Sequence, residues 1–109
     1  MSGRLTVANA RAALARGAGE FIELLAHGSL TVEFYAPDGV DRQTPHARDE
    51  VYVIASGAGH FVHEGGHQPV EAGEVLFVPA GDEHRFEDFT DDFATWVFFY
   101  GPEGGEAPE

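Results

Sequence analysis

Residues 39–57, GVDRQTPHARDEVYVIASG, and residues 73–88, GEVLFVPAGDEHRFED, decide how this chain is read. In the first, VYVIAS (51–56) is rich in β-branched residues and reads as a strand ended by Gly57-Ala58-Gly59. His46 and Glu50 lie four apart at its start. An even separation on a strand puts both side chains on one face, and Tyr52 and Ile54 follow on that face. In the second stretch, EVLFVPAG (74–81) is a strand that ends where Pro79 and Gly81 bend the chain, and His84 stands just past the bend. If the later strand lies beside or opposite the first, two imidazoles and one carboxylate converge.

Two neutral imidazoles and a carboxylate suit Fe(II), Mn(II), Ni(II), Zn(II) or Cu(II). The set carries a formal charge of −1, so a divalent ion leaves the site at about +1 with coordination positions open to water, oxygen or an anionic substrate. Simple alternation also puts Arg48 on this face, so a bulge or an irregular strand start is expected to turn it away.

Outward from these stretches the pattern stays β. FIELLAHGSLTVEFYAP (21–37) reads as two strands broken at His27-Gly28-Ser29, with Val32 and Phe34 on one face and Thr31, Glu33 and Tyr35 on the other. Pro37-Asp38-Gly39 is a turn. HFVHEGGHQPV (60–70) reads as a hairpin turning at Gly65-Gly66. HRFEDF (84–89) continues past the Pro79–Gly81 bend, and FATWVFFY (93–100), apolar on both faces, is expected to be covered on both. Before the strands, residues 8–16 carry Ala and Leu at helical spacing, with Asn9 as N-cap and Gly17 as stop. The division is a helical arm over 1–20, a β-barrel over 21–100 and a disordered acidic tail over 101–109. Short strands with glycine-rich turns indicate an all-β sandwich or barrel, and periodicity alone does not distinguish a jelly roll from other barrels.

Composition narrows the function. The 109 residues suffice for one domain and not two, and 43% hydrophobic residues supply a core without staples. With no cysteine, disulfides and thiol chemistry are excluded. Six basic residues against 19 acidic ones give a net charge of −13, which repels phosphate backbones and anionic lipids. Nucleic acid and membrane are therefore not expected as partners. No apolar run is long enough to span a bilayer and the N-terminus lacks a secretory signal, so a soluble, unprocessed cytoplasmic protein is expected.

The same two stretches match the two signature motifs of the cupin superfamily. The first motif normally reads glycine, five residues, His-x-His, three or four residues, Glu, six residues, glycine; here Gly39, His46, Glu50 and Gly57 fall in place. The second reads glycine, five residues, Pro-x-Gly, two residues, His, three residues, Asn; here Gly73, Pro79, Gly81 and His84 match. Two motifs in order at the right separation are a specific signal, and the chain resembles a small single-domain microbial cupin of the conserved-barrel type. The resemblance implies a double-stranded β-helix, or jelly-roll, barrel with a short N-terminal helix. It also implies a divalent metal at the open mouth on His46, Glu50 and His84. The sequence departs at Thr44, where the first histidine is usual, and at Asp88, where asparagine is usual. Three protein ligands remain, with Gln43 a candidate oxygen donor and the Thr44 hydroxyl a weak one, and the alternatives are a three-ligand site, a site weaker than that of a four-ligand cupin, or one that has lost its metal.

Two functions follow from different classes. One is a metal-dependent enzyme of oxygenase, isomerase or lyase type acting on a small polar or anionic molecule, with Tyr52 relaying a proton and Gln43 orienting substrate as catalytic residues. The other is a non-catalytic module that binds or senses a small molecule. A storage role is set aside, because the chain is too short for a two-barrel seed protein. His60, His63 and His67 read as exposed hairpin histidines rather than a second metal site, since 60 and 63 point to opposite faces. His27 reads as a surface residue. No phosphate loop is present, and Ser2, Ser29 and Ser56 lack a nucleophile's context. The two-faced strand at 93–100 and the N-terminal segment lead to an expected homodimer that covers exposed sheet.

Overall fold

The computed structural model describes residues 3–17 and 19–107. Ser2 and the last two tail positions, both part of the sequence reading, lie outside them. One helix, α1 (Val7–Arg16), precedes eight strands: β1 (Phe21–His27), β2 (Leu30–Tyr35), β3 (Asp49–Ser56), β4 (Ala58–His63), β5 (Gly66–Glu71), β6 (Val75–Val78), β7 (His84–Glu87) and β8 (Ala94–Tyr100).

The strands form a five-stranded sheet in the order β1-β2-β8-β3-β6 and a three-stranded sheet in the order β5-β4-β7. All the ladders are antiparallel. This is a jelly-roll barrel: β8 returns from the C-terminal end to lie between β2 and β3, a non-local pairing that hairpins alone do not make.

The core lies between the two sheets. Tyr52, Ile54, Phe86, Phe93 and Val97 are almost wholly buried there. Phe86 sits at the centre, with ring centroids 5.0 Å from Tyr52, 5.4 Å from Phe61 and 4.8 Å from Phe93. Burying such a side chain is worth about 1.5–3 kcal/mol, so this aromatic group is a main source of cohesion between the sheets.

Gly57, between β3 and β4, has φ +74°, and a Cβ there would lie 2.8 Å from Phe93 Cα. The closing glycine of the first motif is thus set both by backbone conformation and by a close chain crossing. Asp88, at the asparagine position of the second motif, has φ 49°. Asp and Asn both tolerate that left-handed region, so the substitution preserves the backbone.

A smaller apolar cluster lies on the outer face of the large sheet. Ala10 of α1 is buried with Phe34 and Ala94, and Leu14, Ile22 and Trp96 pack around them. Arg11 ties the helix down, bonding Ser56 Oγ at 2.6 Å and the Asp92 carbonyl at 2.8 Å. The helix begins one residue earlier than the sequence suggested. Thr6, not Asn9, is the N-cap: its backbone is extended, and its hydroxyl accepts from Asn9 N at 3.1 Å.

Two more local expectations are revised. The hairpin turn falls on Glu64-Gly65, both with positive φ, rather than on Gly65-Gly66, because His63 pairs with Gly66. The tail was expected to be disordered, yet residues 101–107 are hydrogen-bonded to the barrel. Gly104 N donates to the Ala47 carbonyl at 2.6 Å and Glu106 N to Asp49 Oδ2 at 2.9 Å. Composition missed this because the binding uses backbone donors. The bonds from Glu106 N and Ala80 N hold the Asp49 carboxyl below its ordinary value.

No helix among the described residues is long and apolar enough to cross a membrane.

Candidate metal centre

Backbone bonds between the two sequence stretches bring the site together. At the Pro79–Gly81 bend, Gly81 N donates to the His46 carbonyl at 2.8 Å, and Ala80 N donates to Asp49 Oδ1 at 3.0 Å. The start of β3 and the approach to β7 are thereby stapled side by side. β3 begins at Asp49, so regular alternation begins there, and Glu50, Tyr52 and Ile54 point into the barrel. Arg48 precedes the strand and turns away as expected, donating to the carbonyls of Ser29 and Gly101.

His46, Glu50 and His84 meet. One ligand-capable atom from each lies within 4.8 Å of the other two. His84 Nε2 is 3.1 Å from Glu50 Oε1, and His46 Nε2 is 3.8 Å from Glu50 Oε2. The two imidazole centroids are 5.5 Å apart. The Glu50 and His84 side chains are 1% and 0% exposed, while that of His46, at 33%, forms the open side.

Tautomer and charge follow from the surroundings. His84 Nδ1 lies 3.0 Å from the Asp82 carbonyl, which can only accept, so Nδ1 carries a proton and Nε2 faces the site. Burial works against protonation of Nε2, but the adjacent Glu50 carboxylate and the Asp82 carbonyl outweigh it and hold the His84 pKa above its ordinary value. Burial dominates at His46 and lowers its pKa despite Glu50. The Tyr52 hydroxyl is pushed well above its ordinary value by burial first and by Glu50 second, so it is a neutral donor.

Glu50 shows that a cation fits. Both its carboxylate oxygens are buried and unsatisfied while His84 is neutral: the one group close enough, His84 Nε2 at 3.1 Å from Oε1, relieves the charge only when it is protonated. An unsatisfied buried carboxylate is costly, whereas a cation bound by these oxygens and two imidazole nitrogens removes the penalty. The donor set of two nitrogens and one carboxylate suits a divalent transition ion.

The other candidates surround this trio. Tyr52 Oη is 2.9 Å from His84 Nε2 and donates to Gln43 Oε1 at 2.6 Å. Gln43 Oε1 is also 3.4 Å from His46 Nε2. Between the two alternatives left open at the missing-histidine position, Gln43 puts an oxygen beside the trio, while Thr44 is exposed on the wall of the adjoining cavity. That cavity, of about 520 Å³, opens onto His46 and Glu50 and is walled by Glu33, Tyr35, Val97 and Phe99.

Sequence reasoning missed Asp41. It is buried, and its carboxylate accepts four bonds: from Tyr35 Oη at 2.6 Å, Gln43 N at 3.0 Å, Gln43 Nε2 at 2.7 Å and Phe86 N at 2.8 Å. It ties the 36–48 loop to β7 and turns the Gln43 carbonyl toward the site. Periodicity gives no signal for a loop residue, and only its place inside the first motif marked it.

His60 and His67 are exposed as expected, but His63 is not. It pairs with His84 across the β4–β7 ladder, points inward beside Phe61 and lies 2.9 Å from Asp82 Oδ2. The odd spacing correctly put His60 and His63 on opposite faces; the barrel decided that one of those faces is the interior.

Against known proteins, the chain from residue 31 to 100 matches the family model described as Cupin domain. The chain belongs to the cupin family. A relative in Streptomyces coelicolor, an uncharacterized protein, is 36% identical over 87 residues, covering 78% of this cupin and 83% of the relative. Among solved structures, a Cupin 2 conserved barrel domain protein from Salinispora arenicola matches with a TM-score of 0.66 at 18% identity, over 93% of this chain and 89% of that one. The DMSP lyase DddQ from Ruegeria pomeroyi matches with a TM-score of 0.64 at 24% identity, over 74% of this cupin and 46% of the lyase. At these identities the solved structures share the barrel fold.

Proposed function

We propose that this cupin binds one divalent metal ion on His46, Glu50 and His84 and acts on a small polar molecule held in the adjoining cavity. The observation that carries the proposal is the Glu50 carboxylate, buried, unpartnered and flanked by two imidazoles. When bound, the ion supplies Lewis acidity to an oxygen of the substrate. His84, locked by the Asp82 carbonyl, presents Nε2, and His46 closes the solvent side. Tyr52 serves as the catalytic proton donor and Gln43, oriented by Asp41, as the catalytic positioning group. The identity of the metal, among Fe, Mn, Ni, Zn and Cu, is set by supply as much as by these ligands.

The test is elemental analysis of freshly purified protein, with a turnover screen against keto acids, sugars and phenolics. Wild type is expected to carry metal near one equivalent and His84→Ala to lose both metal and turnover. Full metal content in His84→Ala refutes the ligand assignment. A ligand that raises Tm without being converted moves the reading to a binding module.

The assembly we propose is a homodimer. Helix α1 covers the β1–β2 side of the large sheet, so β8 is less bare than its composition suggested. The apolar surface left open lies toward β6, where Val75 and Phe77 are 65% and 51% exposed, beside Val51, Val53 and Phe98. Concentration-independent monomer in light scattering refutes this assembly.

A further inference from the structure

Glu33 is a cavity-wall carboxylate with no task in the proposed metal site. It lies on β2 with its side chain on the inner face, since Glu33 pairs with Val97 of β8 and Val97 with Tyr52 of β3. It is half-buried. Among the described residues its carboxylate has neither a hydrogen bond nor a counter-ion; Arg42, on the same cavity wall, pairs with Glu20 at 3.6 Å. The charges it does feel are of its own sign. Burial first, then Glu23, its cross-strand neighbour, and Glu50 hold its carboxyl above the ordinary value. A carboxylate retained in such a place is relieved by a ligand that brings positive charge.

The rest of the cavity agrees. Aromatic rings of Phe21, Tyr35 and Phe99 stand on its walls, and the Tyr35 hydroxyl is already committed to Asp41; the one cation on the wall, Arg42, is 71% exposed and turned to Glu20 beside it. Carboxylate and aromatic faces together favour a cation and disfavour an anion. The opposite end differs: the metal reading leaves a net charge of about +1 on the ion with Glu50 and two neutral imidazoles, which attracts an oxygen anion. Glu33 is level with Tyr52, two strands across and two residues along from Glu50, so the two backbones are about 12 Å apart, and the inward side chains leave room for a ligand of roughly two to four carbons.

We infer that the cavity takes a small zwitterion whose oxygen-anion end faces His46, Glu50 and His84 and whose ammonium end is held by Glu33. The inference rests on the metal reading for the first end only, and Glu33 is the specificity-determining residue for the second.

Matched probes test it by calorimetric titration at neutral pH. 4-Aminobutanoate and pentanoate, and β-alanine and butanoate, differ by an ammonium in place of a methyl group. 4-Hydroxybutanoate offers a neutral donor of similar length. In zinc-loaded wild type the amino compound is expected to bind about tenfold more tightly than its methyl counterpart. Glu33→Gln is expected to reduce that ratio to about one, Glu33→Asp to restore part of it, and Glu103→Gln, on the exposed tail away from the cavity, to leave it in place. Zinc content and thermal melts of the same samples confirm that each variant is folded and loaded.

No preference for the amino compound in wild type overturns the inference, as does a preference that survives Glu33→Gln. Equal binding of 4-hydroxybutanoate overturns the cation assignment. The titrations repeated on metal-free protein separate the two readings. Protein that takes up no zinc yet keeps a Glu33-dependent amino preference sinks the metal centre and retains the role of Glu33.

Discussion

Replacing Glu50 by glutamine should have opposite effects on the metal-free and the metal-loaded protein. The carboxylate is 1% exposed, and neither oxygen has a hydrogen-bond partner. At about pH 9, some 2.5 units above the ordinary imidazole pKa, the deprotonated state of His84 leaves no positive charge beside it. Leaving such a group buried and unsatisfied costs about 1–3 kcal/mol, and more for a charged one. Glutamine has the same shape, carries no charge and presents an amide that can donate to His84 Nε2, which lies 3.1 Å from Glu50 Oε1. With roughly 2.1 cal/mol/K of unfolding entropy per residue, this 109-residue chain has about 0.23 kcal/mol/K, so a gain of about 1–3 kcal/mol raises Tm by roughly 4–13 °C. At about pH 6 the sign reverses, because imidazolium and carboxylate then form a buried pair and removing one partner destabilises. With excess zinc the variant also falls below wild type, since a metal at 100 times its Kd contributes about 2.7 kcal/mol that the variant loses. Calorimetric scans at the two pH values, with and without zinc, read all three effects. A metal-free Glu50→Gln protein that melts below wild type at about pH 9 would refute the claim that this carboxylate is unsatisfied. So would a variant that retains one equivalent of metal.

Metal binding should also depend on pH through His84. Its raised pKa means that in metal-free protein the His84–Glu50 pair contributes stability below about pH 6.5, and that stability is lost as pH rises through the folded pKa. The metal needs the same nitrogen unprotonated, so the zinc-induced rise in Tm should grow across that window; a pH-independent rise argues against His84 as ligand. Asp41→Ala should cost about 1–3 kcal/mol in denaturant unfolding, because Phe86 N and the Tyr35 hydroxyl lose their acceptor in a buried place. It should also weaken metal retention by freeing Gln43; unchanged stability and unchanged metal content would show that Asp41 does not organise the loop. Gly57→Ala should destabilise by at least about 1–2 kcal/mol for the left-handed backbone alone, with the Phe93 contact adding to it. A melt within about 2 °C of wild type would mean that the β3–β4 turn yields easily.

Most of the strand positions, and which face each residue takes, were legible from one-residue alternation. It put Glu33 and Tyr35 on one face and Val32 and Phe34 on the other, and grouped Glu50, Tyr52 and Ile54. The candidate metal ligands were legible because the two cupin motifs are local patterns; spacing alone grouped His46 with Glu50 and left His84 conditional on the pairing of distant strands. The hub Asp41, the inward turn of His63 and the docked tail were not, because each depends on a partner distant in the chain: Phe86, Asp82 and Asp49 respectively. In each case the contact is made by a loop residue or a strand end, where there is no periodicity to read.

An all-β chain, two motifs, one set of candidate ligands and a strongly acidic composition can be read from the residues before any fold is known. Alternation of side chains along a strand and the charge of ionised groups are properties of the residues alone. That His46, Glu50 and His84 share one point, that Gln43 rather than Thr44 puts its oxygen there, and that Glu33 faces them across a cavity are visible in the folded chain alone. Those facts depend on which strands become neighbours. β8 inserts between β2 and β3 because the closed barrel buries its apolar inner face, and no local pattern encodes that choice.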